Sequence, residues 1–360
     1  DMNKKGISIL LLSAMLFSVS GCGKTAKRAD EKQTTEKKDD KNEKKMTIAD
    51  VDLNDPDLEE KWKKEPRYGT KLVFAYNGGL CTSGLGIAQV KGFLAKQGLE
   101  AEIKNIPNAM DAIGTGKADA NTDHISTSVV PAVNGVNAVF TRAAQTGCKS
   151  LYVLKDSPYQ KTSDLIGKSI AIHDAIGGSD HNITLRFLAR DKIDYTKIKF
   201  KVIENAATIQ ALQNGEVEAS MFSDQFAQKF VDQGILRPIR SITFDDDFKT
   251  EPCCVLILNK QFVEENPITA AKLTKAHKEA SDWIEENKKE ASEIINQNNW
   301  GSGDVEKDTR FLETYNFKVS DEQTEKTLIN VLDDYKAFNL IKSELDTNET
   351  LSKIWRPAKK

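Results

Sequence analysis

The chain has 360 residues, 39% hydrophobic and 29% charged, with 51 Lys and Arg against 54 Asp and Glu for a formal net charge of −3. That balance predicts a soluble, globular body long enough for two ordinary domains, and it gives no electrostatic reason to expect nucleic acid as a partner. Beyond the first two dozen residues, no apolar run reaches the length of a membrane span.

In chain order, Lys4 and Lys5 precede an apolar run over residues 7–19, followed by Val19-Ser20-Gly21-Cys22. The run is short for a bilayer, and small residues ahead of a lone cysteine suit a peptidase that cuts on its N-terminal side. The pattern resembles a bacterial lipoprotein export signal over residues 1–21. It implies a mature chain that begins at Cys22 with lipid on that thiol; a signal anchor with an incidental cysteine is the alternative. Residues 24–45 are almost wholly polar, with nearly nothing to bury against the entropy of ordering, so residues 22–65 are expected to form a disordered charged tether. Its charges alternate in sign, which argues against a lipid-binding basic patch.

Two strand–loop–helix units follow. Lys71-Leu72-Val73-Phe74-Ala75 reads as a buried strand, Asn77-Gly78-Gly79-Leu80-Cys81-Thr82-Ser83-Gly84 as a loop, and Ile87, Val90, Phe93 and Leu94 mark a helix. About a hundred residues on, Ser169-Ile170-Ala171-Ile172, Gly177-Gly178-Ser179-Asp180-His181 and a helix through Ile183, Leu185, Phe187 and Leu188 repeat the order. A second matched pair, residues 112–120 and 211–219, keeps the same offset. Gly116 and Gly215 read as left-handed residues just past helix ends. Gly78, Gly79, Gly177 and Gly178 are expected to let backbone approach a ligand, since ligands bind at the carboxyl ends of strands in open α/β sheets.

These two lobes, the lipoprotein signal, and the stretches Asn121-Thr122-Asp123-His124, Val129-Val130-Pro131-Ala132 and Ser223-Asp224-Gln225-Phe226 resemble the substrate-binding lipoproteins of ABC importers. The branch is the one that includes nitrate, alkanesulfonate, taurine and thiamine-pyrimidine binders. The resemblance implies a two-lobe periplasmic-binding-protein-like α/β fold, each lobe a mainly parallel sheet flanked by helices with a hinge between them. Lobe 1 would take residues 66–155 plus 255–360 and lobe 2 residues 156–250, with crossings near Lys155 and Pro252. It further implies an extracytoplasmic monomer, anchored to the membrane through Cys22, that captures a small molecule and delivers it to ABC permease subunits. Lys- and Asn-rich usage fits a monoderm host. The fold hosts many ligands and does not name this one.

Four loops should meet in the cleft, offering Thr82, Asn121, Asp123, His124, Gly177, Gly178, Ser179, Asp180, His181, Ser223 and Asp224 as ligand contacts. Thr82 or Ser83, and Ser179 or Asp180, are candidate helix N-caps whose free N–H groups would favour an anion. Three carboxylates with no Lys or Arg in those loops argue the other way, toward a cationic or hydrogen-bond-donating ligand, or a metal.

Cys81, Cys148, Cys253 and Cys254 remain once Cys22 is lipidated. They fit buried free thiols, disulfides allowed by the export compartment, or a metal ion or iron–sulfur cluster bound as ligand. None has the CxxC spacing that makes a metal motif strong. In a regular strand Cys253 and Cys254 would face opposite ways, so that only one could reach the cleft. No resident cofactor is implied. Nor is catalysis expected, because the chain has no nucleophile elbow, zincin helix or phosphate loop.

Overall fold

The computed structural model describes residues 44–360. Cys22, the export signal and most of the charged tether lie outside the described residues. The strands are, in chain order, β1 (Lys71–Ala75), β2 (Glu100–Lys104), β3 (Ala120–His124), β4 (Ala138–Thr146) and β5 (Lys149–Leu154), then β6 (Ser169–Ile172), β7 (Lys199–Val202), β8 (Ala219–Ser223), β9 (Leu236–Ser241) and β10 (Pro252–Asn259). They form two five-stranded sheets, β2-β1-β3-β10-β4 and β7-β6-β8-β5-β9, with β1, β2 and β3 in the places of β6, β7 and β8.

Each sheet is mixed yet mainly parallel in direction, with four of its five strands running one way and one against them. β2-β1-β3 and β7-β6-β8 run parallel, whereas β10 is antiparallel to β3 and β4, and β5 is antiparallel to β8 and β9. The antiparallel member in the fourth position is, in both cases, the strand the chain enters on crossing between sheets. β10 is buried along its whole length, which explains its unbroken apolar run. Pro252 opens it, where a missing N–H is tolerated.

This pairing moves a boundary. β5 belongs to the second sheet, so the first crossing is at Gly147 and Cys148 and not near Lys155. The return runs through residues 242–251 to β10. Gly116 and Gly215 are both left-handed, at φ +75° and +72°, just beyond the helices Ala109–Gly114 and Asn205–Gln213.

A second boundary also shifts. Residues 45–360 form one compact unit, so the disorder expected through residue 65 does not extend over 46–65. Three apolar side chains there, Ile48, Val51 and Trp62, are buried in the core of the first lobe. Trp62 Nε1 donates to Thr269 Oγ1 at 2.9 Å, and the Glu65 carboxylate accepts from Thr269 N at 2.9 Å and from its hydroxyl at 2.7 Å. Glu65 thereby caps the helix Pro267–Glu286, whose exposed N–H groups and dipole favour a carboxylate. That helix lays Leu273, Ala276, Ala280 and Ile284 into the core and meets β4 through Arg142, which donates to His277 Nδ1 at 2.6 Å and Ser281 Oγ at 3.0 Å.

Candidate functional site

The carboxyl ends of β1, β3, β6 and β8 and the starts of β5 and β10 lie on one side of the two sheets. Here the lobes touch. Ser126 Oγ donates to Ser179 Oγ at 3.0 Å, and Asn182 Nδ2 donates to the Ser126 carbonyl at 2.9 Å, which also accepts from Tyr335 at 2.7 Å. Arg186, on the helix Ser179–Arg190, bonds Glu251 at 2.7 Å and Asp334 at 2.8 Å. The cavity beside this seam, lined by Ser126, Ile183, Arg186, Phe248, Cys253 and Tyr335, measures about 30 Å³.

Most of the polar residues expected to grip a ligand are engaged elsewhere. Asp180 Oδ1 pairs with Lys149 Nζ at 2.6 Å and Oδ2 with His173 Nδ1 at 2.9 Å. Burial pushes its carboxyl up, but His173 and Lys149 outweigh that and hold it down at about 2. Asp224 accepts from Ser150 at 2.6 Å, Tyr152 at 2.7 Å and Thr243 at 2.6 Å; burial still pushes its carboxyl above the usual range. The charge missing from the candidate loops thus comes from β5, through Lys149.

Ser223 Oγ caps its helix by accepting from Phe226 N at 3.2 Å, and Asp123 accepts from His124 N at 2.7 Å. Thr82 donates to the Gly78 carbonyl at 3.3 Å. His181 Nδ1 accepts from Gly177 N at 3.1 Å, its ring stands edge-on to Phe200 at 4.7 Å, and burial pushes its imidazole down. The expected side-chain caps at the two helix starts are absent: Ser83 donates to the Leu80 carbonyl, and Gly178 holds the N-cap position ahead of Ser179. Asn121 is buried on β3 with its Oδ1 unpartnered.

The paired glycines are also used in packing. Gly78 and Gly79 have φ of +107° and +113°; a Cβ on Gly78 would come within 3.1 Å of the Trp300 carbonyl, to which Gly79 N donates at 2.8 Å. They seat the loop on Trp300, whose ring packs on Tyr76 at 5.0 Å. A Cβ on Gly178 would meet Asp174 at 2.5 Å, whereas Gly177 has open space around it.

What the structure does bring together is sulfur and imidazole. Cys148 Sγ lies 3.2 Å from Cys253 Sγ, which is 3.9 Å from Cys254 Sγ. His124 Nδ1 reaches Cys253 at 3.3 Å and Cys254 at 3.5 Å. Cys81 sits against both Cys148 and Cys254. All four cysteines are free thiols.

Two local departures from regular backbone make the cluster. The register of β10 against β4 shifts on both sides of Cys254, so the strict alternation that would separate neighbouring side chains is broken, and Cys253 and Cys254 face the same point. Cys148 sits at φ +111°, a region a residue with a Cβ enters at a cost of about 1–3 kcal/mol. It is held there by Thr243 Oγ1 on its N–H at 2.9 Å and by Asp224 N on its carbonyl at 2.9 Å.

Charge is shared unevenly. Hydrogen bonds from Cys148 and Cys254 push the Cys253 and Cys81 thiols well below their ordinary value; the same bonds push Cys148 up, and burial together with them pushes Cys254 up. Burial pushes the His124 imidazole down, but the Cys253 thiolate beside it wins and raises it to about 9. A thiolate–imidazole pair is also the makings of a cysteine nucleophile, yet three further thiols crowd this one.

Lys149, Tyr152 and Thr243 are structural parts of the site that the sequence did not single out. Gln145, the register partner of Cys254, is buried with both amide atoms unpartnered. Only contacts between distant segments mark them, and no local pattern carries that signal.

This architecture, two mixed α/β lobes with a shared cleft, is the periplasmic-binding-protein fold. It matches an alkanesulfonate-binding protein from Xanthomonas axonopodis bound to MOPS at a TM-score of 0.63 and 17% identity, over 80% of this chain and 98% of that one. The periplasmic nitrate-binding protein of Synechocystis matches at 0.61 and 17%, over 79% and 86%. A ligand-binding component of an ABC-type import system from Staphylococcus aureus with zinc bound matches at 0.61 and 13%, over 79% and 96%. The NMT1-like family model matches residues 68–297, and the chain belongs to that family. A search of curated proteins gave no match.

Proposed function

We propose that this protein is the extracytoplasmic binding component of an ABC importer, a monomer tethered by lipid on Cys22, which closes its lobes on a small ligand and presents the closed form to a permease. The observation that carries the reading is the seam itself. The interlobe bonds from Ser179, Asn182 and Arg186 meet at the carboxyl ends of the strands, and each crossing lies next to the thiol–imidazole cluster. Family membership and the fold support it.

With Asp180 and Asp224 saturated by their own lobe, the groups left to touch a ligand include His124, the thiols around it and the unpartnered amides of Asn121 and Gln145. No helix among the described residues is long and apolar enough to cross a membrane. Catalysis has no part in this reading.

The test is expression of the full chain in a bacterial host fed radiolabelled palmitate. Label on the wild type, loss of label and of membrane association in Cys22→Ser, and permease-dependent cargo uptake are expected. An unlabelled wild-type protein, or function that persists without any permease, contradicts the reading.

A further inference from the structure

We propose that the ligand of this cleft is a thiophilic d10 metal ion, zinc(II) or copper(I), held by His124, Cys253 and Cys254, with Cys148 and Cys81 beside them as further thiols. The inference rests on the importer reading and gives its site a substrate class.

Geometry is the first argument. Zinc–sulfur bonds of about 2.3 Å and zinc–nitrogen bonds of about 2.0 Å give tetrahedral edges of about 3.8 Å between sulfurs and about 3.6 Å between sulfur and nitrogen. Among His124, Cys253 and Cys254 the observed edges are 3.9 Å between sulfurs and 3.3 and 3.5 Å from sulfur to His124 Nδ1, while Cys148 Sγ lies 3.2 Å from Cys253 Sγ. His124, Cys253 and Cys254 alone offer three ligand atoms within 4.8 Å of one another.

Chemistry is the second. Thiolates and an imidazole select soft or borderline ions over calcium or magnesium, which want oxygen donors. The nearby carboxylates do not dilute that selectivity, because Asp180 and Asp224 are spent on Lys149, His173, Ser150, Tyr152 and Thr243. An iron–sulfur core is a poorer fit, since it would have to stand between thiols that already touch.

Placement is the third. These residues come from four separate segments, and two of them lie on the crossings between lobes: Cys148 just before β5, Cys253 at the start of β10. The bulge at Cys254 and the left-handed backbone at Cys148 both turn a thiol toward the same point. An ion bound there ties the two crossings together and so couples capture to the hinge.

The experiment is anaerobic purification of the full chain in detergent, with metal analysis, native mass spectrometry and thiol counting, followed by titration of zinc and of copper(I) against chromophoric chelators. One ion per chain is expected, with the thiols shielded from alkylation until a chelator is added. Cobalt substitution should give the sulfur-to-metal charge-transfer band of a tetrahedral thiolate site. Cys253→Ser and His124→Gln, each checked for native circular dichroism, should weaken binding by at least about 100-fold, the upper end of what losing even an outer-shell partner does.

A folded, fully reduced wild-type protein that takes up neither ion overturns the proposal. So does a Cys148–Cys253 disulfide in protein taken from cells. An organic mass in place of metal overturns it too, while leaving the importer reading intact; that reading fails separately, through absent lipidation or permease independence.

Discussion

Cys148 and Cys253 stand 3.2 Å apart, sulfur to sulfur, although 105 positions separate them in the chain, and they occupy the two crossings between lobes. A bond at that point, to an ion or between the sulfurs, fixes the hinge. With metal removed, mild oxidation by diamide should therefore join them, and peptide mapping should recover that disulfide rather than one to Cys81. Zinc present at saturation should block the reaction.

Arg186 is the largest single tie across the seam, because one guanidinium serves Glu251 and Asp334 at once. Removing one partner of a buried charge network strands the others. Arg186→Ala is expected to cost about 3 kcal/mol in urea unfolding. Small-angle scattering should show a larger radius for the variant.

Asp180 sets an acid limit. Its folded carboxyl is held at about 2, below the unfolded value of 3.8, so its contribution is fully present above 3.8 and is lost as pH falls toward 2. The gap corresponds to about 2 kcal/mol. Asp180→Asn should be less stable at pH 7 by about that amount and should show a flatter stability profile between pH 4 and 2, followed by denaturant midpoints.

Gly84 opens the helix Gly84–Val90 directly against His277; a Cβ there would come within 2.6 Å of His277 Nε2. His277 is itself fixed by Arg142 at 2.6 Å and cannot swing aside freely. Gly84→Ala should cost about 1–3 kcal/mol by overpacking. Thermal melts of the variant and of Gly84→Ala combined with His277→Ala check it, the second change relieving part of the loss.

How far the sequence spoke for the structure depends on the reach of each signal. The strands around Phe74 and Ile170, and the left-handed turns at Gly116 and Gly215, carry their information in a few adjacent residues, and so does the apolar run of β10. Trp62 was harder to read: its burial against Thr269 depends on a helix two hundred residues away, so a polar neighbourhood suggested disorder through residue 65. The same reason hid Lys149 as the partner of Asp180, and the three hydroxyls that saturate Asp224. The site was half legible. Cys81, Cys148, Cys253, Cys254 and His124 were all visible as candidates, but strand alternation forbade Cys253 and Cys254 from acting together until the bulge in β10 was seen.

The central claim is that a ligand at the thiol–imidazole site closes the lobes. Amide hydrogen exchange of the full chain, with and without zinc, reads both ends of that claim at once. Slowed exchange is expected at the crossings, residues 147–149 and 252–254, together with slowed exchange in the seam helix Ser179–Arg190, and no such change in Cys253→Ser. Zinc bound at one ion per chain with the seam exchanging as fast as before would contradict it.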